Sequence, residues 1–213
     1  MALFKVPSSP NRRIIPHLLQ FQLIASRYSS TSAASIASSF LSKFQSLGPQ
    51  SRTQVLDANQ LQLLSLTLNR QSLFSNSPHL SNATPPAAET PLPPGYHLVY
   101  FTPAFLEHDL GADGTDTSYN PSAPFTRRMW AGGEVQWPRA KNGKPNPLRV
   151  GQEVTETTRV LSAEPKVVKK TGEDMIVVGV EKEFANAEGV AVVDRRYVFL
   201  LTHIYESPIG RFD

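Results

Sequence analysis

The chain has 213 residues, of which 40% are hydrophobic, with 21 basic and 18 acidic side chains and no cysteine. This length suits one ordinary domain with extensions. Without cysteine there can be no disulfide framework, no thiolate metal site and no cysteine nucleophile. The five histidines, at positions 17, 79, 97, 108 and 203, are too scattered for the ligand spacing of a zinc site. We therefore expect neither a metal nor a cofactor.

The basic excess lies at the start of the chain. Six basic residues and no carboxylate precede Asp57, which leaves 15 basic and 18 acidic residues in 57–213. A surface that binds phosphates would carry its positive charge on the folded domain. The charge distribution therefore argues against a nucleic-acid partner.

Residues 1–50 are typical of a mitochondrial transit peptide and a disordered leader, because they are rich in Ser and Arg and lack Asp and Glu. Arg27-Tyr28-Ser29-Ser30 resembles a processing site. The residues that could form the apolar side of a short amphipathic helix are Ile14, Ile15, Leu18, Leu19 and Ile24. The alternative is a disordered Ser-rich tail that targets nothing. No segment approaches the ~20 apolar residues of a membrane span, so we expect a protein of the mitochondrial matrix.

Residues 51–94 are predicted to form an N-terminal helix and a proline-rich linker. Asp57 and Gln60 form an N-cap pattern, and leucines follow at helical spacing to about Asn69. Ser75–Pro94 has the composition of a linker or a draped loop and is expected to bury little.

Residues 95–206 are predicted to form one α+β domain with a curved antiparallel sheet. The apolar pattern changes to a period of two, and tight turns such as Ala185–Gly189 separate the segments. The predicted strands are His97–Phe101, Met129–Trp137, Glu153–Ser162, Met175–Phe184 and Val190–Tyr205. Because the strongest helix pattern precedes the strands, it is expected to cover the sheet.

Six motifs occur in an order that resembles the N-terminal half of the MaoC-like hot-dog dehydratases. The closest resemblance is to the branch of the mitochondrial hydroxyacyl-thioester dehydratase type 2 and mesaconyl-C4-CoA hydratase, over residues 57–204. The motifs are Pro93-Pro94-Gly95-Tyr96-His97, Leu110-Gly111-Ala112-Asp113-Gly114, Arg127-Arg128-Met129-Trp130-Ala131-Gly132-Gly133, Leu148-Arg149-Val150-Gly151-Gln152-Glu153-Val154, Lys170-Thr171-Gly172 and Asp194-Arg195-Arg196-Tyr197.

The resemblance implies a hot-dog fold, in which a curved antiparallel sheet wraps a helix and two such units pack side by side. It also implies an acyl thioester of coenzyme A or acyl carrier protein as substrate. In this family a base removes the α-proton, backbone N–H groups hold the thioester oxygen, and the β-hydroxyl leaves as water. Another hot-dog unit is the implied protein partner.

The family's working histidine lies in an Asp-x4-His or Asn-x-His motif of the C-terminal half, and neither motif occurs here. We therefore expect the catalytic half to be absent from this chain and leave its catalytic residues unassigned. The chain is then either a shortened product or the non-catalytic partner of another hot-dog subunit. Two other functions stay open: an inert acyl-thioester-binding or scaffolding subunit, and a hot-dog thioesterase.

The residues expected to bind substrate form one block, made of Arg127, Arg128, Met129, Trp130, Gly132 and Gly133. The arginines could clamp a phosphate or carboxylate, or one could form an ion pair across the interface between hot-dog units. The tryptophan could line an acyl tunnel or be an ordinary core or interface aromatic. The glycines could admit another backbone or a ligand, or form a β-bulge.

Other polar groups have simpler interpretations. Glu107-His108-Asp109 holds acid–base side chains, but a solvated loop is favoured. His97 and His203 are expected to be satisfied core or edge histidines. The Lys166–Lys170 cluster is expected to be a solvated strand end, with docking of an acidic carrier protein or of coenzyme A phosphates as alternatives.

Overall fold

The computed structural model describes residues 32–111 and 114–202. The helices are α1 (Ala33–Leu47) and α2 (Ala58–Thr67), with 3-10 turns at Tyr96–Val99 and Glu107–Asp109. The strands are β1 (Gln50–Val55), β2 (Arg127–Gln136), β3 (Glu153–Val167), β4 (Asp174–Asn186) and β5 (Gly189–Leu201).

The five strands form one antiparallel sheet in the order β1-β3-β4-β5-β2. The three long strands β3, β4 and β5 form the expected meander, while β1 and β2 are the edges. Register shifts interrupt β2 between Trp130 and Gly132 and β3 between Val160 and Ser162. Such bulges bend a strand and increase its twist. The α+β class and the antiparallel sheet are confirmed.

Both helices pack on the same side of this sheet, here called the inner face. On β3, β4 and β5 this face carries every second residue, as the pleat requires. Its residues are Val154, Glu156, Thr158, Val160, Ile176, Val178, Val180, Lys182, Phe184, Val192, Asp194, Arg196, Val198 and Leu200. Apolar residues occupy its two ends and charged residues its middle.

Each helix covers one apolar end of the inner face. Ala33, Ile36, Ala37 and Phe40 of α1 pack with a cluster that includes Ile176, Val178 and Leu200. Leu61 of α2 belongs to the other cluster, with Leu56, Val154, Phe184 and Val192. Burying each large aliphatic or aromatic side chain stabilises the fold by roughly 1.5–3 kcal/mol. The charged middle of the inner face lies between the two clusters that the helices cover.

The expected disordered leader over 1–50 is wrong for its last part. Ser32 caps α1 by accepting a hydrogen bond from the Ser35 N–H at 3.2 Å. The buried positions of α1 follow helical spacing, and β1 pairs with β3 from Gln50 opposite Thr158. Ser-rich composition hid this amphipathic pattern. The expected transit peptide and processing site, residues 1–31, lie outside the described residues.

The helix expected from Asp57 is confirmed, because Asp57 Oδ1 accepts from the Gln60 N–H at 2.8 Å. This helix shares its role with α1, which sequence analysis missed. The strand expected at His97–Phe101 is wrong, since a 3-10 turn occupies Tyr96–Val99. Gly95, with φ of 86°, begins that turn in a conformation that favours glycine.

The linker expected over Ser75–Pro94 buries more than predicted at its end. Leu92 is buried, and its N–H donates to the Leu148 carbonyl at 2.8 Å. Pro91 forms a bridge with Arg149.

Within 32–111 and 114–202, no helix combines the length and apolar character needed to cross a membrane. The same residues contain no group of three or more His, Asp or Glu side chains placed to hold a metal ion.

Candidate functional site

A buried ion triad occupies the middle of the inner face. Glu156 Oε1 accepts from Lys182 Nζ at 2.5 Å, and its Oε2 accepts from Arg52 Nε at 2.8 Å. Thr158 Oγ1 donates to the same carboxylate at 3.0 Å. The side chain of Glu156 is 3% exposed, that of Lys182 12% and that of Arg52 33%. The paired charges of the triad therefore lie between the two apolar clusters of the inner face.

The carboxyl group of Glu156 is held ionised by its partners. Burial raises its pKa, but the hydrogen bonds and charges of Lys182 and Arg52 outweigh burial and leave the pKa below its ordinary value. Arg52 also donates to the carbonyl oxygens of Phe101 and Thr102. The polar middle of the sheet is thereby linked to the segment that follows the 3-10 turn.

Two adjoining cavities of about 180 and 220 Å³ lie over the triad and form what we call the inner-face cleft. Pro103, Asp116, Tyr119 and Lys182 border both cavities. Burial raises the pKa of the Tyr119 hydroxyl, which keeps this wall of the cleft uncharged.

Arginines border the cleft farther along the sheet. Arg128 Nη1 donates to the Asp116 carbonyl at 2.6 Å and lies 3.6 Å from its carboxylate. Arg196 donates to Asp194 Oδ2 through Nε at 2.8 Å. Arg128 and Arg196 both line the larger cavity of the cleft. Together with the triad, four cationic side chains therefore lie beside three carboxylates around the cleft: Arg52, Arg128, Lys182 and Arg196 beside Asp116, Glu156 and Asp194.

A separate apolar pocket of about 350 Å³ lies over the other end of the inner face. Prolines, aromatic and aliphatic residues line it: Phe74, Pro91, Leu92, Pro93, Pro94, Trp137, Pro147, Leu148 and Val192, together with His97. Its volume lies within the range usual for pockets that bind small ligands. The end of the expected linker thus forms one wall of a pocket.

His97 lies between the apolar pocket and the inner-face cleft. Its ring packs edge-on against Phe184, with centroids 4.7 Å apart, and Phe184 borders the larger cavity of the cleft. Burial lowers the pKa of His97 to about 4, although the nearby charge of Asp194 opposes the shift. The imidazole is therefore neutral at neutral pH.

The block expected to bind substrate divides between the two faces of β2. Arg128, Trp130 and Gly133 pair with inner-face residues of β5 and lie on that face. Arg127, Met129 and Gly132 lie on the other face. Trp130 is 64% exposed and Met129 45%, and Arg127 is half-buried. The structure thus brings Arg128 to the cleft and leaves Arg127 and Met129 outside it.

Both interpretations of the two glycines have a structural counterpart. Gly132 stands at the register shift of β2, as a bulge requires. A Cβ on Gly133 would collide with the carbonyl oxygen of Arg195 and lie 3.0 Å from the Trp130 ring. The close backbone approach is therefore to β5 within this sheet.

The other polar groups are surface features or lie outside the described residues. His108 Nε2 and Asp109 Oδ1 are 3.5 Å apart on side chains that are 76% and 49% exposed, which confirms a solvated loop. Lys166 Nζ pairs with Glu164 at 2.8 Å on the exposed end of β3. His97 is buried as expected, but its Nε2 is unpaired. His203 is not among the described residues.

The site residues expected from the sequence did not include Arg52, Glu156 or Lys182, and His97 was expected only as a core or edge histidine. The signal for Glu156 and Lys182 was present, because both charges occupy positions where the strand alternation places apolar residues. A charge at such a position is buried and needs a partner. Arg52 was hidden because its strand lay in the expected leader and helix region.

The chain is similar in sequence to known proteins. Residues 95–209 match the family model described as hydroxyacyl-thioester dehydratase type 2. The mesaconyl-C(4)-CoA hydratase of Chloroflexus aurantiacus is 36% identical over 69 residues, a match that covers 32% of this chain and 22% of that protein. The chain therefore matches about a fifth of the length of this relative.

A solved structure shares the architecture at low sequence identity. The crystal structure of the ChsH1-ChsH2 complex from Mycobacterium tuberculosis contains a chain that matches with a TM-score of 0.55 and 10% identity, covering 81% of this chain and 94% of that one. A MaoC-like dehydratase from Rhodospirillum rubrum matches with a TM-score of 0.37 and 18% identity, over 74% of this chain and 92% of that one. The expected hot-dog fold is confirmed. From the family match and this fold, the chain belongs to the hydroxyacyl-thioester dehydratase type 2 family of MaoC-like hot-dog dehydratases.

Proposed function

We propose that this chain is the N-terminal, substrate-lining half of a mitochondrial 3-hydroxyacyl-thioester dehydratase, a hydro-lyase that also hydrates enoyl thioesters. The observation that carries the proposal is the apolar pocket of about 350 Å³ beside a charged cleft on the same sheet face. The family match supplies the reaction class.

An acyl thioester has two unlike ends, which these two sites suit. The acyl chain gains free energy when it leaves water, and the pocket offers it a proline-rich apolar wall. The carrier end, on coenzyme A or acyl carrier protein, bears phosphates, which guanidinium groups bind well. Arg128 borders the cleft with a side chain 23% exposed, so it is the arginine we assign to the carrier end.

Proton transfer is assigned to a second hot-dog unit. The chain contains neither Asp-x4-His nor Asn-x-His. Its one buried histidine within 32–111 and 114–202, His97, faces the apolar pocket. The ChsH1-ChsH2 complex of M. tuberculosis contains a chain of similar fold and is an assembly of two components, which supports a partner for this chain. The exposed edge of β2, with Trp130 on its inner face and Met129 on its other face, is the edge we assign to this partner.

The alternative is an acyl-thioester-binding or scaffolding subunit that never takes part in turnover. The absence of the two catalytic motifs favours it. The test combines calorimetric binding of decanoyl-CoA with hydration of crotonyl-CoA, followed at the enoyl absorbance. We expect the chain alone to bind but not to hydrate, and hydration to appear when it is co-expressed with a hot-dog subunit that carries a catalytic motif.

Each other outcome has a clear meaning. Binding with no hydration in any co-expressed pair would favour the inert subunit. Release of free thiol would identify a thioesterase, because hydration leaves the thioester bond intact. Failure to bind any acyl-CoA would contradict the proposal.

The mitochondrial matrix location rests on the composition of residues 1–31, which lack acidic side chains. Its test is a fusion of residues 1–31 to a fluorescent protein, imaged in cells with a mitochondrial marker. A control fusion replaces Arg12, Arg13 and Arg27 with Gln. We expect mitochondrial import for the first fusion and a diffuse signal for the control, whereas diffuse signal from both would contradict the location.

A further inference from the structure

His97 has an unusual environment for a core histidine. Its residue is 2% exposed, and its Nε2 has no hydrogen-bond partner among the described protein residues. The same side chain lines the apolar pocket. A buried polar atom without a partner is costly, and proteins satisfy nearly all such atoms. The unpaired Nε2 therefore points to a ligand group as its partner.

The ligand group must be able to bond with a neutral imidazole. Because burial lowers the pKa of His97 to about 4, the ring is uncharged at neutral pH. A neutral imidazole offers one N–H donor and one bare nitrogen, and which of them is Nε2 depends on the tautomer. A hydroxyl group both donates and accepts, so it pairs with Nε2 in either tautomer.

The pocket lining excludes a charged partner. None of the ten residues that line the pocket is an arginine, lysine or carboxylate. An anionic group would lose its water there without gaining a counter-ion. A purely apolar chain would fill the pocket but leave Nε2 unpaired. A neutral hydroxyl on an otherwise apolar chain fits both the lining and the histidine.

We propose that His97 is a specificity-determining residue that binds the 3-hydroxyl of an acyl chain held in the apolar pocket. The inference rests on the proposed function, which places the acyl chain there. His97 packs on Phe184, at the border of the cleft assigned to the carrier end. The hydroxyl that reaches it is therefore one close to the thioester, and the 3-hydroxyl lies two carbons from the thioester carbonyl.

The experiment measures dissociation constants of 3-hydroxydecanoyl-CoA and decanoyl-CoA by calorimetry. The proteins are the full chain, His97→Leu, His97→Gln and a control, His108→Leu, on the exposed loop. We expect the full chain and the control to bind the hydroxylated ester about tenfold more tightly, as one satisfied buried hydrogen bond implies. His97→Leu should bind the two esters with equal affinity, and His97→Gln should retain part of the preference.

A spectroscopic measurement keeps the test independent of how the variants fold. In the full chain labelled with ¹⁵N-histidine, the His97 Nε2 resonance should shift on addition of 3-hydroxydecanoyl-CoA and much less on addition of decanoyl-CoA. Equal affinity for both esters, or an unchanged preference in His97→Leu, overturns this inference and leaves the proposed function standing. If neither ester binds the full chain, both fail.

Discussion

Lys182 Nζ and Glu156 Oε1 form a 2.5 Å ion pair in the middle of the inner face, on side chains that are 12% and 3% exposed. The pair lies between the cluster under α1 and the cluster under α2. The same two charges therefore lie between the helices within the fold and border the cleft.

Removing the cation alone should be strongly destabilising. Lys182→Met leaves the Glu156 carboxylate buried with Arg52 as its remaining cation, and breaking a buried pair costs about 3–5 kcal/mol. The double change Lys182→Met with Glu156→Gln should recover part of that loss, because the buried carboxylate is gone and Arg52, whose side chain is 33% exposed, keeps its hydrogen bonds to the carbonyl oxygens of Phe101 and Thr102. Urea unfolding measures both values, and Lys141→Met on the exposed turn is the control. Equal stability of the single and double variants would contradict a paired, buried carboxylate.

The burial of His97 predicts a loss of stability in mild acid. Its pKa is about 4 in the folded protein against 6.5 as the ordinary value, so the unfolded chain takes up the proton first as pH falls. The contribution to the free energy of unfolding is therefore present above pH 6.5 and lost toward pH 4, by about 3 kcal/mol. Asp194, Glu156 and Arg196 are the charged groups that act on the ring.

The measurement compares urea unfolding of the full chain and His97→Leu at several pH values between 4 and 7. The difference between the two proteins isolates His97 from carboxylates that titrate over the same range. His108→Leu, on an exposed loop, should follow the full chain. Parallel curves for the full chain and His97→Leu would show that His97 is not buried in its neutral form.

Helix α1 should behave as part of the core. Phe40 is 7% exposed, and its ring packs against Phe44 with centroids 4.8 Å apart. Phe40→Ala should lower the free energy of unfolding by about 3–5 kcal/mol, as in other large cavities. Ser39→Ala, on the exposed side of the same helix, should change it little. Equal effects of the two changes in thermal or urea unfolding would show that α1 is not part of the core.

Gly133 should tolerate no side chain. Its added Cβ would meet the backbone carbonyl oxygen of Arg195, which cannot move without distorting β5. Gly133→Ala is expected to cost about 1–3 kcal/mol, the usual range for overpacking. The matched change is Gly179→Ala, whose Cβ would meet the Ser162 hydroxyl at 2.7 Å and the Tyr197 ring at 3.3 Å, two side-chain groups that can move aside without shifting the backbone. A larger loss for Gly179→Ala in urea unfolding would contradict this account of the close approach.

Much of the sheet followed from the sequence, because the period-two pattern of β2 to β5 and the turns between them are local. The cap of α2 by Asp57 is equally local. The failures concern features whose cause is remote in the sequence. Arg52 acquires its partner 104 residues away, at Glu156. α1 was mistaken for leader because serines occupy its exposed positions, and its apolar residues reveal their role only against Ile176 and Leu200.

The candidate site, too, could be predicted from the sequence only in part. Arg128 could be identified from its motif, since the block resembles a family pattern, and the structure places it at the cleft. The apolar pocket could not be identified, because its wall combines a proline-rich segment, the 3-10 turn and strand β5. Each segment alone resembles linker or ordinary core.

Entry of the acyl chain into the apolar pocket is the central step of the proposed function, and filling that pocket tests it most directly. Val192→Phe places a ring at its floor, where Val192 is 2% exposed, and Val135→Phe on the exposed edge strand is the control. With folding checked by circular dichroism, calorimetry with decanoyl-CoA should show at least tenfold weaker binding for Val192→Phe and unchanged binding for Val135→Phe, since tenfold corresponds to about 1.4 kcal/mol. Unchanged affinity in a folded Val192→Phe protein would place the acyl chain elsewhere and contradict the account.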